Sequence, residues 1–435
     1  MKRIFFFVAI LTVSLSINAR LYASEIDILV ERTKEEISQE TKQEIDSSLA
    51  QASIKPAGKN DLKVYWKHGV HMKTADENVK IKIGGRIQAD TAWMKQDTAL
   101  KDLVGKPDGN AEFRRARLYI SGDIYKDYFF KAQYDFADGD ADFKNVYLGM
   151  KHIPFIGTFK VGHFKEPFSL EELTSSNYIT FLERGLPNVF APSRNMGLQL
   201  NNTLFDKRLT WAAGVFRQSD DFGFSDRGGG AATGRITGLP IYKEEGRVLL
   251  HVGAAYSLRD PRDDLRYRER PETHLSQRYV DTYTFDADYV SILGLETALV
   301  YGSFSLQSEL MQSFVDQSHS NSSHTYFPGV YVYGSYFLTG ENRAYHMKRG
   351  CFTRVKPLKK FSIKDKTWGA WEVTVRYSYL DLKDKNILGG IVSDVSVGLN
   401  WYWNPCMRVM GNYVHSNRNS TGSSDILEGR FQINF

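Results

Sequence analysis

Beyond its first two dozen residues, this chain contains no apolar run approaching the roughly 18 residues that a membrane-crossing helix needs. Cysteine is nearly absent: Cys351 and Cys406 are the only two in 435 residues. One bridge between them stays open in an oxidising compartment, but two thiols do not make a disulfide scaffold. They also fall short of the four ligands of a structural zinc site. The ten histidines include no HExxH spacing, and no GxSxG marks a nucleophile elbow. No metal or cofactor is therefore expected, and the chain reads as a non-enzyme. Charge of one sign is lacking too. Lys2, Arg3 and Arg20 supply three units of the formal net charge of +5, so the chain beyond residue 23 is close to neutral. Nucleic acid is not an expected partner.

What is present begins with MKRIFFFVAILTVSLSINARLYAS. Two bases precede an apolar run from Ile4 to Val13, and the small-residue stretch Leu21–Ser24 follows. This is the form of a secretory signal peptide over residues 1–23. A short membrane anchor is the competing reading, and the apolar run is too short for it. Residues 24–53 differ from everything after them. Val30, Thr33, Ile37, Thr41, Ile45 and Leu49 recur at steps of three and four. That spacing predicts a helical extension with coiled-coil periodicity, as readily a solvated helix as an oligomerisation element. Residues 54–78 read as a linker.

From Val79 the period changes to two. In VKIKIGGRIQADTAW, Val79, Ile81, Ile83, Ile87, Ala89 and Trp93 share one side, while Lys80, Lys82, Arg86, Gln88 and Asp90 share the other. Trp371, Val373, Val375, Tyr377 and Tyr379 likewise oppose Glu372, Thr374, Arg376 and Ser378. The chain ends on EGRFQINF, with Phe431, Ile433 and Phe435 on one face and Arg430, Gln432 and Asn434 on the other. Alternation alone fits any half-buried antiparallel sheet. Several of these strands exceed the usual five or six residues, however, and aromatics gather near their ends as an interfacial girdle requires. An export signal, no helical span and long dyad-patterned strands together predict an all-β fold. Residues 79–435 are expected as a transmembrane antiparallel β-barrel of about sixteen strands, an even number as bacterial barrels need. Short turns fall on one side. The exception is residues 341–368, a long connection where a tight turn is due.

GGRIQAD (84–90), EFRRARLYISG (112–122), VGHFKEPFSLEELTSS (161–176), TFLERGLPNVFAPSRNMGLQL (180–200), GRITGLPIY (234–242), YFLTGE (336–341), WEVTVRYSYLDL (371–382) and GLNWYWNP (398–405) follow in order. Together they resemble the phosphate- and polyphosphate-selective porins O and P of Gram-negative outer membranes. The resemblance implies a sixteen-stranded, trimeric outer-membrane barrel, narrowed by inward-folded loops whose basic side chains pass phosphate along an arginine ladder. The physical demand is independent of the name. An anion entering a narrow pore loses hydration, and fixed cations must offset that cost through shallow, repeated contacts. Arginine suits this because its rigid fork meets two phosphate oxygens.

Candidate pore cations follow from parity and from the resemblance. Arg86 lies on the polar face of the first strand, and Arg115 and Arg117 on that of the second. Arg114 has the wrong parity unless a bulge turns it inward. By resemblance, Arg86, Arg114 and Arg115 match the family's first- and second-strand arginines; a wall salt bridge is the alternative role for Arg115. Lys165 opens the third long loop, residues 166–194, whose Glu171, Glu172 and Glu183 are expected to anchor it against wall arginines. The fifth long loop, 259–278, carries six arginines and five acids. Arg266, Arg268 and Arg270 alternate there, so an extended segment projects all three to one side; a solvated surface loop is the competing reading. Residues 342–366 hold nine bases and one acid. Lys348, Arg349, Arg354, Lys356, Lys359 and Lys360 are expected to form an anion exit funnel, with contact to anionic lipid headgroups as the alternative.

The expected function is passive, anion-preferring diffusion of small solutes, with phosphate or polyphosphate as substrate. The expected partners are small anions, outer-membrane lipid and two further copies of the chain. A weakly selective general porin, or a structural or adhesive barrel, is the alternative.

Overall fold

A computed structural model describes residues 61–106, 110–137, 139–225, 229–317 and 323–435. The expected signal peptide and helical extension lie outside the described residues. Sixteen antiparallel strands form the wall. In order they are Val79–Gln96, Ala111–Ile124, Tyr128–Asp135, Asp142–Ile153, Gly157–Lys165, Arg194–Leu204, Leu209–Arg217, Gly230–Lys243, Val248–Arg259, Tyr289–Tyr301, Phe304–Gln317, Ser323–Phe337, Ala370–Asp384, Ile387–Asn404, Met407–Arg418 and Gly422–Asn434. Each pairs with its sequence neighbour, and the last pairs with the first from Ser424 opposite Gln96 to Asn434 opposite Arg86. The sheet therefore closes, which removes the edges that a bilayer could not satisfy.

Side-chain alternation matches the two environments. In the last strand, Arg430, Gln432 and Asn434 are buried in the lumen, while Phe431 and Leu427 are 42% and 55% exposed on the outer face. Val373, Val375 and Tyr377 face outward between the buried Glu372, Thr374, Arg376 and Ser378. Gly84 and Gly85 explain themselves at the seam. A Cβ on Gly84 would lie 2.5 Å from the Tyr119 hydroxyl, and one on Gly85 would lie 2.8 Å from the Phe435 ring. Both side chains occupy the space that a larger residue would take.

Two regions differ from the sequence expectation. Within the stretch read as a linker, Leu62–Trp66 and Val70–Thr74 form a hairpin. Its second strand pairs with the first wall strand, Val70 opposite Ile83, below the seam. These segments are too short to show a period, which is why the sequence reads them as linker. The fifth long loop, read from sequence as residues 259–278, runs on to Asp288: Phe285–Ala287 pairs with Asp263–Leu265 within it, and the wall resumes at Tyr289. Both cysteines are free thiols.

Candidate functional site: the narrowed lumen

The third long loop, residues 166–193, crosses the barrel interior because wall side chains hold its backbone. Gln88 donates to the Ser176 carbonyl at 3.1 Å and Gln432 to that of Asn177 at 3.1 Å. Arg408 donates to Ile179 O at 2.8 Å, Asn400 to Thr180 O at 2.8 Å, Arg430 to Leu182 O at 2.6 Å and Arg376 to Glu183 O at 3.0 Å. A loop inside a pore has backbone groups that need partners, and these six donors satisfy its carbonyls.

Glu171 and Glu183 complete the anchoring against wall arginines, as the sequence led us to expect, whereas Glu172 is held by a lysine and by an arginine of the loop itself. Glu183 meets Arg114 at 2.9 Å, Arg430 at 2.8 Å and Arg115 at 3.7 Å. Glu172 meets Lys165 at 2.8 Å and Arg184 at 3.1 Å. Glu171 lies 3.6 Å from Arg376, and Glu166 lies 2.8 Å from Arg259.

The fourteen cations singled out from sequence separate by pairing. Arg114 is the extra residue of a bulge, since Gln88 pairs with Arg115 and Ala89 with Phe113. The bulge turns it inward to Glu183. Arg115 also donates to Gln88 Oε1 at 3.0 Å, and Arg117 is tied to Asp135 at 2.6 Å. Arg266 grips Asp281 at 2.8 and 2.5 Å and holds that carboxyl below its ordinary value, while Arg270 donates to Ser276 O at 2.8 Å. Arg268 is exposed on the same loop. Arg86 is different: it donates to Ser176 Oγ at 2.5 Å and has no carboxylate within 4.0 Å among the described residues.

The connection between Phe337 and Ala370 divides. Its first half enters the barrel, where the Gly350 carbonyl accepts from Arg235 at 2.7 Å. Lys348 and Arg349 are exposed on this inserted turn. Arg354 donates to Pro405 O at 2.5 Å and to the Tyr178 hydroxyl at 3.1 Å, and Lys356 is exposed just after it. Lys359 and Lys360 depart from the expected funnel: the adjoining Phe361 packs on outward-facing Trp401 at 5.0 Å.

Sequence reasoning missed a second set. Lys131 stands 4.7 Å over the Tyr119 ring, with Lys82 at 5.6 Å from the same ring. Lys160 lies 3.7 Å over Phe164 and 5.4 Å from Tyr147. Aromatic faces hold these ammonium groups without neutralising them. Arg86, Arg194, Arg349 and Lys82 are the charged neighbours of Lys131, and Arg349 that of Lys160. None of these six has a carboxylate within 4.0 Å among the described residues. Period-two parity carried forward from Phe129 would have put Lys131 on the inner face.

A family model, phosphate-selective porin O and P, matches residues 81–435. The chain belongs to this family. Porin O of Pseudomonas aeruginosa is 29% identical over 420 residues, covering 86% of this chain and 93% of that protein. Solved structures share the fold. An anion-selective porin from Comamonas acidovorans superposes with a TM-score of 0.52 at 12% identity, over 82% of this chain and all of that one. A loop-deletion mutant of OmpT, an outer membrane protein of Vibrio cholerae, gives 0.51 at 11% identity, over 82% and 99%. This porin is an outer-membrane channel that prefers anions.

Proposed function

We propose that phosphate, or a small polyanion of similar shape, crosses along Lys82, Arg86, Lys131, Lys160 and Arg194, and leaves past Arg349. The observation that carries this reading is the contrast in pairing. Arg114, Arg115, Arg117 and Lys165 are spent on carboxylates, whereas these six are not. Several shallow sites in sequence let an ion enter without trapping it. Replacing Lys131 and Lys160 with glutamine is expected to weaken phosphate block of chloride current in planar bilayers. Unchanged block would overturn the assignment.

Lys348, Arg354 and Lys356 extend the basic surface at the exit. Near-neutral pairing in the fifth loop supports weak selectivity at the opposite entrance, where Arg262, Arg266 and Arg268 are exposed and the first two stand beside Asp260 and Asp281. We also propose three such barrels per assembly, an export signal over residues 1–23 and a periplasmic helix over 24–53.

A further inference from the structure

The connection between Phe337 and Ala370 lies on the short-turn side of the barrel, which faces the periplasm in outer-membrane barrels, and its second half, Leu358–Trp368, lies on the outside of the wall. Phe361 donates its N–H to Trp403 O at 2.7 Å and packs on Trp401 and Trp403, centroids 5.0 and 5.7 Å away. Those indoles share the outward face with Val395, Val397 and Leu399. The Trp368 carbonyl accepts from Trp371 Nε1 at 3.2 Å and from Trp401 Nε1 at 2.7 Å. Trp371 and Trp401 stack at 5.0 Å, and Trp403 meets Phe431 at 5.5 Å. Ser362 and Thr367 exchange backbone hydrogen bonds of 3.0 Å, which makes a tight reverse turn at Ile363–Lys366. An aromatic platform thus fixes a short projecting hairpin against the outer wall.

What the hairpin presents is specific. Leu358, Ile363 and Trp368 are 68%, 84% and 68% exposed. Lys359, Lys360, Lys364 and Lys366 are exposed among them, and none has a carboxylate within 4.0 Å among the described residues. The single acid, Asp365, accepts from Ser362 Oγ at 2.8 Å within the turn. Apolar tips beside unopposed ammonium groups, continuous with a lipid-facing aromatic girdle, fit a surface that is hydrocarbon below and anionic above. A second copy presenting the same hairpin would set like charges together.

We infer that Leu358–Trp368 is a docking site for anionic phospholipid of the periplasmic leaflet. Ile363, Leu358 and Trp368 enter the acyl region, and the four lysines engage headgroup phosphates. The hairpin stands outside the lumen, so its charge does not serve the permeating ion.

The test uses the full chain in phosphatidylcholine vesicles containing a minor fraction of brominated phosphatidylglycerol or brominated phosphatidylcholine, with tryptophan quenching as readout. Wild type is expected to favour the anionic lipid by at least about fivefold, the factor one lysine at a charged surface confers. The preference should shrink as salt rises. It should vanish in K359Q/K360Q/K364Q/K366Q, with conductance and ion selectivity unchanged. Equal quenching by both lipids, a preference that survives the four substitutions, or altered selectivity would each overturn the inference. So would loss of oligomer in that variant, which would mark a contact between copies. If the quadruple variant does not fold, K359Q/K360Q and K364Q/K366Q carry the same comparison.

Discussion

Arg430 clasps Asp90 across the closing seam, Nε to Oδ1 at 2.7 Å and Nη2 to Oδ2 at 2.6 Å, joining the last wall strand to the first. The same guanidinium reaches Leu182 O and Glu183 of the inserted loop. One buried side chain therefore ties closure of the wall to the position of the constriction.

Removing Asp90 leaves the buried Arg430 with Glu183 alone, a carboxylate already shared with Arg114 and Arg115, and breaking a buried pair costs up to about 3–5 kcal/mol. Asp90→Ala is expected to lower the unfolding free energy on that scale, read as a lower urea midpoint. It should do so more than Asp425→Ala, whose carboxylate meets His415 on an exposed surface. Equal midpoints for the two variants would contradict the role given to the seam.

Glu183, on the inserted loop, neutralises three arginines inside the lumen. Glu183→Gln should release that charge to the lumen and raise the anion-to-cation permeability ratio, read from the reversal potential in a chloride gradient. Thermal stability should fall in parallel. A less anion-selective pore would show that the carboxylate does more than anchor.

Covering by the inward-folded fifth loop pushes the Glu269 carboxyl up to about 7, against the Arg270 N–H and the charges of Arg270 and Arg278, and with help from Glu183. A raised carboxyl value favours the neutral form when folded. Stability is then highest below the ordinary carboxylate range and declines as pH rises through about 7. The entrance also gains one negative charge over that interval. Anion selectivity is expected to drop between about pH 6 and 8, one unit either side of that midpoint, and Glu269→Gln should flatten the change.

The wall was legible because its cause is local. Hydrocarbon outside and water inside impose a period of two, and every expected wall strand from Val79 onward has its counterpart. The anchoring of Glu171 and Glu183 on wall arginines was legible too, since acids in an inserted loop need bases; that Glu172 takes Lys165 and the loop's own Arg184 was not. Pairing was not. Arg114 meets a carboxylate 69 residues away, and parity says which way a side chain points without saying what it meets. Lys131 and Lys160 escaped notice because Tyr119, Tyr147 and Phe164 also face the lumen, which blurs the polar stripe. The split of residues 342–366 into an inner and an outer half depends on Phe361 finding a tryptophan surface built from two later strands.

Six wall donors hold the inserted loop by its main-chain oxygens, from Ser176 to Glu183. Every residue type carries that oxygen, so substitutions along this stretch leave the handholds in place. The aperture's width and its chemistry are thus separable: side chains on the loop can be exchanged to suit another solute while the strands keep it suspended at the same height.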